Sequence, residues 1–126
     1  MNNKGQTLAL FVILIPLIIM LGAYVVDIGY MKYNKNKLDG INEYMVDYAL
    51  DNKDNLNKEE IINMIIKNDD DINKINIDEI DNGVKIEISK TFKGLFGYFV
   101  GKDIYDARSI YKGSIIDEKK VIERVD

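Results

Sequence analysis

Asp69, Asp71 and Asn73 stand at alternate positions, the spacing with which a calcium loop offers its first ligands. The pattern stops there. Lys74 occupies the position that needs Gly for the sharp turn, and Ile80 stands where the bidentate Glu belongs. A solvated acidic turn over 68–73 is therefore expected, and no metal. Gly94, Gly97 and Gly101 do not follow a strand and open a helix in the dinucleotide-binding manner, and no phosphate-gripping Lys-Ser/Thr pair follows them. They read as loop glycines. Glu59–Glu60 and Asp78–Glu79 are neighbours in sequence, which is ordinary on solvated surfaces. The chain has no Cys and no His, which removes thiolate chemistry, the commonest general base and the commonest metal ligand. Serine occurs only at Ser89, Ser109 and Ser114. Neither an enzyme nor a cofactor is expected from this inventory. The bond between Gly5 and Gln6, just ahead of a long apolar run, is a place where chemistry is done to the chain rather than by it.

The elements that hold these residues fall into two unlike parts of a 126-residue chain. Residues 7–26 read TLALFVILIPLIIMLGAYVV without a charge. A helix of that length rises ~30 Å, the thickness of a bilayer hydrocarbon core. Leu8, Phe11, Pro16, Ile19 and Val25 represent its lipid-facing anchor. Pro16 is tolerated in a membrane helix, at the cost of a kink. A buried core helix is the bland alternative, but globular helices are rarely apolar on every face for so long. A cleaved signal peptide is the other, with 21–23 (Leu-Gly-Ala) as a poor cleavage site after an overlong apolar segment. Asp27 follows the run at once, and Tyr24, Tyr30 and Tyr33 cluster at that end, as tyrosines do at headgroup level. Asp27 is either the first solvated residue or the partner of a neighbouring chain's cation. Lys32, Lys35 and Lys37 outnumber Lys4 and the amino terminus, so the positive-inside rule alone puts the C-terminal part in the cytoplasm.

Beyond the run, Met31, Leu38, Ile41, Met45 and Tyr48 recur at heptad-like intervals, with Lys35, Asn36, Asn42, Glu43 and Asp47 on the other faces. The helix is expected to continue to about residue 50 as an amphipathic stem, packed on its own domain or on a partner helix. Gly40 costs this helix ~1 kcal/mol relative to Ala without ending it. Asn57, with Glu60 three residues on, starts a short helix over 58–67. A strand then includes Ile75 and Ile77. Asn82-Gly83 predicts a type I′ hairpin turn, and Val84, Ile86 and Ile88 alternate with polar residues as a half-buried strand. Residues 93–99 form an apolar connection, 104–111 a last strand, and 115–126 a loose helix or frayed tail. The net charge of −4 argues against nucleic acid, which needs a basic face.

Lys4-Gly5, the run containing Pro16, Val26-Asp27-Ile28-Gly29 and the continuing amphipathic helix together resemble the start of the TadE/TadG-like family. These are pilin-like components of tight-adherence (Flp-type) pilus assembly. The strand at 84–89, Phe92 through Leu95-Phe96-Gly97, and the closing strand at 107–111 are similar in style. The resemblance covers about residues 4–113. It implies a single-pass protein of the cell membrane, its N-terminus cytoplasmic and its domain extracytoplasmic, assembled with other pilin-like or pilus-assembly membrane proteins. It also implies prepilin-peptidase cleavage between Gly5 and Gln6. Processed members carry Glu five residues after that Gly, where this chain has Leu10.

The expected fold is thus α+β and pilin-like: a long N-terminal helix, membrane-spanning then amphipathic, packed on a small antiparallel sheet. The expected division is a flank over 1–6, a transmembrane helix over 7–26, a stem over 27–50, a small α+β domain over 51–113 and a charged tail over 114–126. The expected partners are the lipid bilayer and other assembly proteins, with no nucleic acid and no small-molecule substrate. The alternative is a membrane-tethered binding or sensory module unrelated to pili. Carbonate extraction of membranes is expected to leave the chain in the pellet. Ile18→Arg should weaken insertion by ~2.5–3.5 kcal/mol, read as the membrane-inserted fraction.

Overall fold

The computed structural model describes residues 3–101 and 105–125. One helix, α1 (Asn3–Asp51), takes up 49 residues and runs through Pro16. A short 3₁₀ turn (Lys53–Asn55) leads to α2 (Lys58–Asn68). Then come β1 (Lys74–Ile80), β2 (Gly83–Phe92), α3 (Gly94–Val100), β3 (Tyr105–Ile116) and β4 (Lys119–Arg124). The four strands form one antiparallel sheet in the order β1-β2-β3-β4. The expected α+β fold, a long helix on a small antiparallel sheet, is the fold observed.

Alternation explains the sheet. Val84, Ile86, Ile88 and Lys90 of β2 are buried, and they pair with Gly113, Tyr111, Ser109 and Ala107 of β3. This row is the face that α1 and α2 cover. Leu38, Met45, Val46, Ala49 and Leu50 of α1 meet Ile61 and Ile65 of α2 and the row of β2 in one core. Each buried Leu or Ile side chain contributes roughly 1.5–3 kcal/mol of transfer free energy. The first half of α1 has no such partner: from Asn3 to Val26 only Ala23 is buried.

Close approach decides two glycines. A Cβ on Gly113 would lie 2.4 Å from Val46 Cγ1 and 2.9 Å from Leu50 Cδ1, so α1 rests on the sheet where β3 has no side chain. A Cβ on Gly83 would lie 1.7 Å from the Gly113 carbonyl oxygen. Gly83 therefore serves β2–β3 packing and not the hairpin turn expected of Asn82-Gly83. Ile80 pairs with Gly83, which makes Asp81-Asn82 the two-residue loop, and neither residue has a positive φ. The type I′ pattern lies instead between β3 and β4, where Asp117 and Glu118 have φ of 53° and 64°.

Several expectations need correction. The tail from residue 114 is not frayed: β3 runs on to Ile116, and β4 pairs with it from Tyr111↔Arg124 to Ile116↔Lys119. Lys120 fastens β4 to α1 through Asp47 at 3.0 Å and through Asp51. The start of the last strand, placed at Ile104, lies outside the described residues. The connection over 93–99 is largely helix α3. Asn42, assigned to the outer polar faces, is fully buried. Its amide nitrogen donates to the Ile86 carbonyl at 2.9 Å and to Ser109 O and Oγ at 3.1 and 3.2 Å. One side chain thereby ties α1 to both central strands. Asn57 caps α2 as expected, accepting from the Glu59 and Glu60 amides, while the Glu60 carboxylate accepts from the Tyr48 hydroxyl at 3.0 Å.

In detergent micelles, Leu38→Ala is expected to lower unfolding stability by ~2–5 kcal/mol. Glu43→Ala, on the exposed side of α1, should change it by no more than about 0.5 kcal/mol. Equal tolerance in denaturant titration would mean that this stripe packs on something other than the sheet.

Candidate functional site: the Asp27 junction

Asp27 is the first charged residue after the apolar run, and it is 1% exposed. The chain's own domain covers it, so it is not the first solvated residue. Its Oδ1 accepts the Leu95 backbone N–H at 2.5 Å, and its Oδ2 accepts the Phe96 N–H at 2.7 Å and the Tyr105 hydroxyl at 2.9 Å. The carboxylate thus supplies two of the bonds that the first turn of α3 leaves unmade, from a residue 68 positions earlier. α3 ends in the reverse manner: Gly101, at φ 75°, donates its N–H to the Gly97 carbonyl at 2.8 Å.

Gly94 makes this junction possible. Its φ is +66°, and a Cβ there would lie 2.7 Å from the Asp27 carboxyl carbon and 2.8 Å from Tyr105 Cε2. Only glycine admits the carboxylate to the helix end. Read from sequence, Gly94 passes as a loop glycine. The signal that marks it is spacing along α1: Asp27, Asn34, Leu38 and Asn42 lie on the same buried face, so Asp27 points toward the domain and needs donors there.

A run of aromatic rings leads away from Tyr105. Tyr30 stacks on Tyr33 at 6.2 Å and meets Phe92 edge-on at 5.2 Å, and Phe92 stacks on Tyr105 at 5.5 Å. Tyr30, expected at the membrane border, is therefore half covered by the domain. Asn34, one turn further, donates to the Tyr30 carbonyl at 3.0 Å. Burial by itself would raise the Asp27 pKa. The Phe96 and Leu95 amides and the Tyr105 hydroxyl outweigh it and hold the carboxyl below its ordinary range. Burial and the adjacent Asp27 charge push the Tyr105 hydroxyl up.

The acidic turn is a second buried carboxylate and not a wholly solvated one. Asp69 is buried, accepts from Lys90 Nζ at 2.9 Å and from the Asp71 N–H at 3.1 Å, and lies 3.6 Å from Lys37 Nζ. Burial raises its pKa, and the Lys90 bond and charge bring it below the ordinary value. The oxygens of Asp69, Asp70 and Asp71 come within 4.8 Å of one another. The one buried member already balances two lysines, so the group is a structural ion pair with an acidic rim.

The other expected residues are spread along α1. Gly5 and Gln6 lie exposed in its first turns, and Leu8, Phe11, Pro16, Ile19 and Val25 are all exposed. Two open surface hollows flank α2, one of about 600 Å³ beside Lys37, Tyr44 and Met64 and one of about 430 Å³ beside Glu60, Asn63 and Lys67, and a more enclosed one of about 70 Å³ is lined by Leu50, Lys53, Glu79 and Gly83.

Gly94→Ala is expected to free α3, because left-handed backbone costs an L-residue ~1–2 kcal/mol before the clash with Asp27 is added. Asp27→Asn should do the same through the lost charge. Both are checked by faster amide hydrogen exchange at Leu95 and Phe96 with little change at Ile86. Asp27 and Asp69 both have depressed folded-state values. Their stabilisation is full above the unfolded carboxyl range near ~4 and disappears as pH falls through the lower folded-state values. Acid titration followed by exchange should therefore show α3 loosening below about pH 4.

No protein-family model, curated protein or solved structure matches the chain.

Proposed function

We propose that this chain is a membrane-anchored, pilin-like structural component of a pilus-assembly or secretion system, with its domain on the outer side of the membrane. One observation carries the reading. A single helix of 49 residues has an apolar, uncovered first half and a second half that forms part of a domain core. The apolar half is long enough to cross a bilayer. A subunit of this form presents a bare helix to lipid and to the helices of neighbouring subunits, while the sheet stays in water.

The residue chemistry supports a structural role over a catalytic one. His and Cys are absent from the chain. Of the three buried carboxylates among the described residues, Asp27 and Asp69 accept hydrogen bonds from the chain itself and Asp39 pairs with Lys35. Groups held in their charged form by internal bonds are poor proton carriers near neutral pH. The Lys4-Gly5-Gln6 start supports processing by a prepilin peptidase, and Leu10 in place of Glu favours a role as an anchor beside the shaft.

Protease added to intact protoplasts is expected to degrade the chain beyond Tyr33, and N-terminal sequencing is expected to read from Gln6. Protection until lysis would reverse the orientation. An intact Met1 would mean an uncut anchor, and a start at Tyr24 would mean a cleaved signal. Cross-linking in membranes from residue 12 or 19, each replaced by cysteine in this cysteine-free chain, should capture other assembly proteins. Capture of none would leave the tethered binding module as the better reading.

A further inference from the structure

We infer that α3 is an interfacial helix, lying in the headgroup layer of the same bilayer that α1 crosses and seating the base of the domain on the membrane. The inference rests on the membrane reading of residues 7–26 and adds a second contact to it.

Depth is the first argument. Asp27 holds the Leu95 and Phe96 amides directly. That fixes the start of α3 at the level of the first charged residue after the apolar run. Ala23, one turn earlier on the same face of α1, is the buried residue of that run, so the covered zone extends past the hydrocarbon boundary. Composition is the second. α3 reads GLFGYFV with no charge in seven residues. Leu95 is 49% exposed and Tyr98 76% exposed, apolar area for which the domain supplies no cover. Tyr24, Tyr30 and Tyr33 are exposed around the same end of α1. A tyrosine belt with adjacent apolar side chains suits the boundary between headgroups and acyl chains. Charge is the third. Lys93 immediately precedes α3, and Lys32 lies on α1 five residues after Asp27; both are exposed. They stand on the water side of this layer, where anionic headgroups attract cations.

The saturated carboxylate makes the arrangement possible. An ionised Asp at this depth would otherwise have to remain hydrated, which would hold α3 away from lipid. Bonded to two amides and a hydroxyl, Asp27 lets apolar surface gather around it.

The chain has no tryptophan, so single reporters can be placed in the full-length protein. Ile18→Trp, Tyr98→Trp, Leu95→Trp and Tyr44→Trp variants are reconstituted in phosphatidylcholine–phosphatidylglycerol vesicles, and circular dichroism checks the fold of each. Emission is then quenched by lipids brominated near the headgroup, by lipids brominated deep in the acyl chain, and by aqueous acrylamide. Position 18 should respond to deep bromine. Positions 98 and 95 should respond to shallow bromine, with blue-shifted emission and loss of acrylamide quenching relative to position 44. If position 18 responds but 98 and 95 are quenched by acrylamide as position 44 is, α3 stands in water and the inference falls while the span survives. If 98 and 95 are shielded from acrylamide and bromine alike, protein covers α3 and the inference again falls. Failure of position 18 to respond to deep bromine would remove the span, and this proposal with it.

Discussion

A carboxylate set where an uncharged twenty-residue run ends must be hydrated or bonded, and in this protein it is bonded. Asp27 accepts from two backbone amides and a hydroxyl brought from the far end of the chain. Three consequences follow from that one group. The apolar half of α1 and the sheet are fastened at the point where the apolar run ends. α3 gains partners for its first turn, which a helix of seven residues cannot provide for itself. Gly94 is fixed by the need to leave room for the carboxylate.

The remainder of the contact between α1 and the sheet obeys the same economy of side chains. Where the helix must come nearest, β3 carries Gly113 and α1 carries Val46 and Leu50. Where backbone carbonyls would face an apolar helix, Asn42 donates to them. Aliphatic area alone would let a helix slide along a sheet, since burial is not directional. The Asn42 bonds and the Asp27 junction, fifteen residues apart on one helix, fix both its position and its rotation. A four-stranded sheet with one covered face depends on that fixity, because strands without a packed helix are marginal.

The sequence made the architecture legible wherever a period was long and clean. The uncharged run predicts its helix, and the Leu38–Met45 stripe and the Val84–Ile86–Ile88 alternation each predict their element and its buried side. What escaped was set by tertiary partners. Asn42 looks like an outer polar residue until Ile86 and Ser109 lie beneath it. Asp27 looks solvated until α3 supplies its donors. β4 has charges at most positions, and only pairing with β3 and the Lys120 bridges make it a strand. Asn82-Gly83 is a good turn signal, but Gly83 was needed for its closeness to Gly113, which no local rule contains.

The lysines after the apolar run illustrate how a local rule and a folded structure compete for the same residues. Orientation in a membrane is decided while the chain is unfolded, so ion pairs of the finished domain do not alter the charge count that decides it. Yet Lys35 lies 3.3 Å from Asp39, and Lys37 lies 3.6 Å from the buried Asp69, which also holds Lys90. An uncompensated buried carboxylate costs several kcal/mol, and Lys37 and Lys90 are the cations that balance Asp69. Two of the three lysines therefore have a use in the folded domain that is independent of which side it occupies. A residue required by packing is retained in either orientation, and its weight as a topology signal falls accordingly. Lys32, exposed six residues after the apolar run, keeps its full weight in that count.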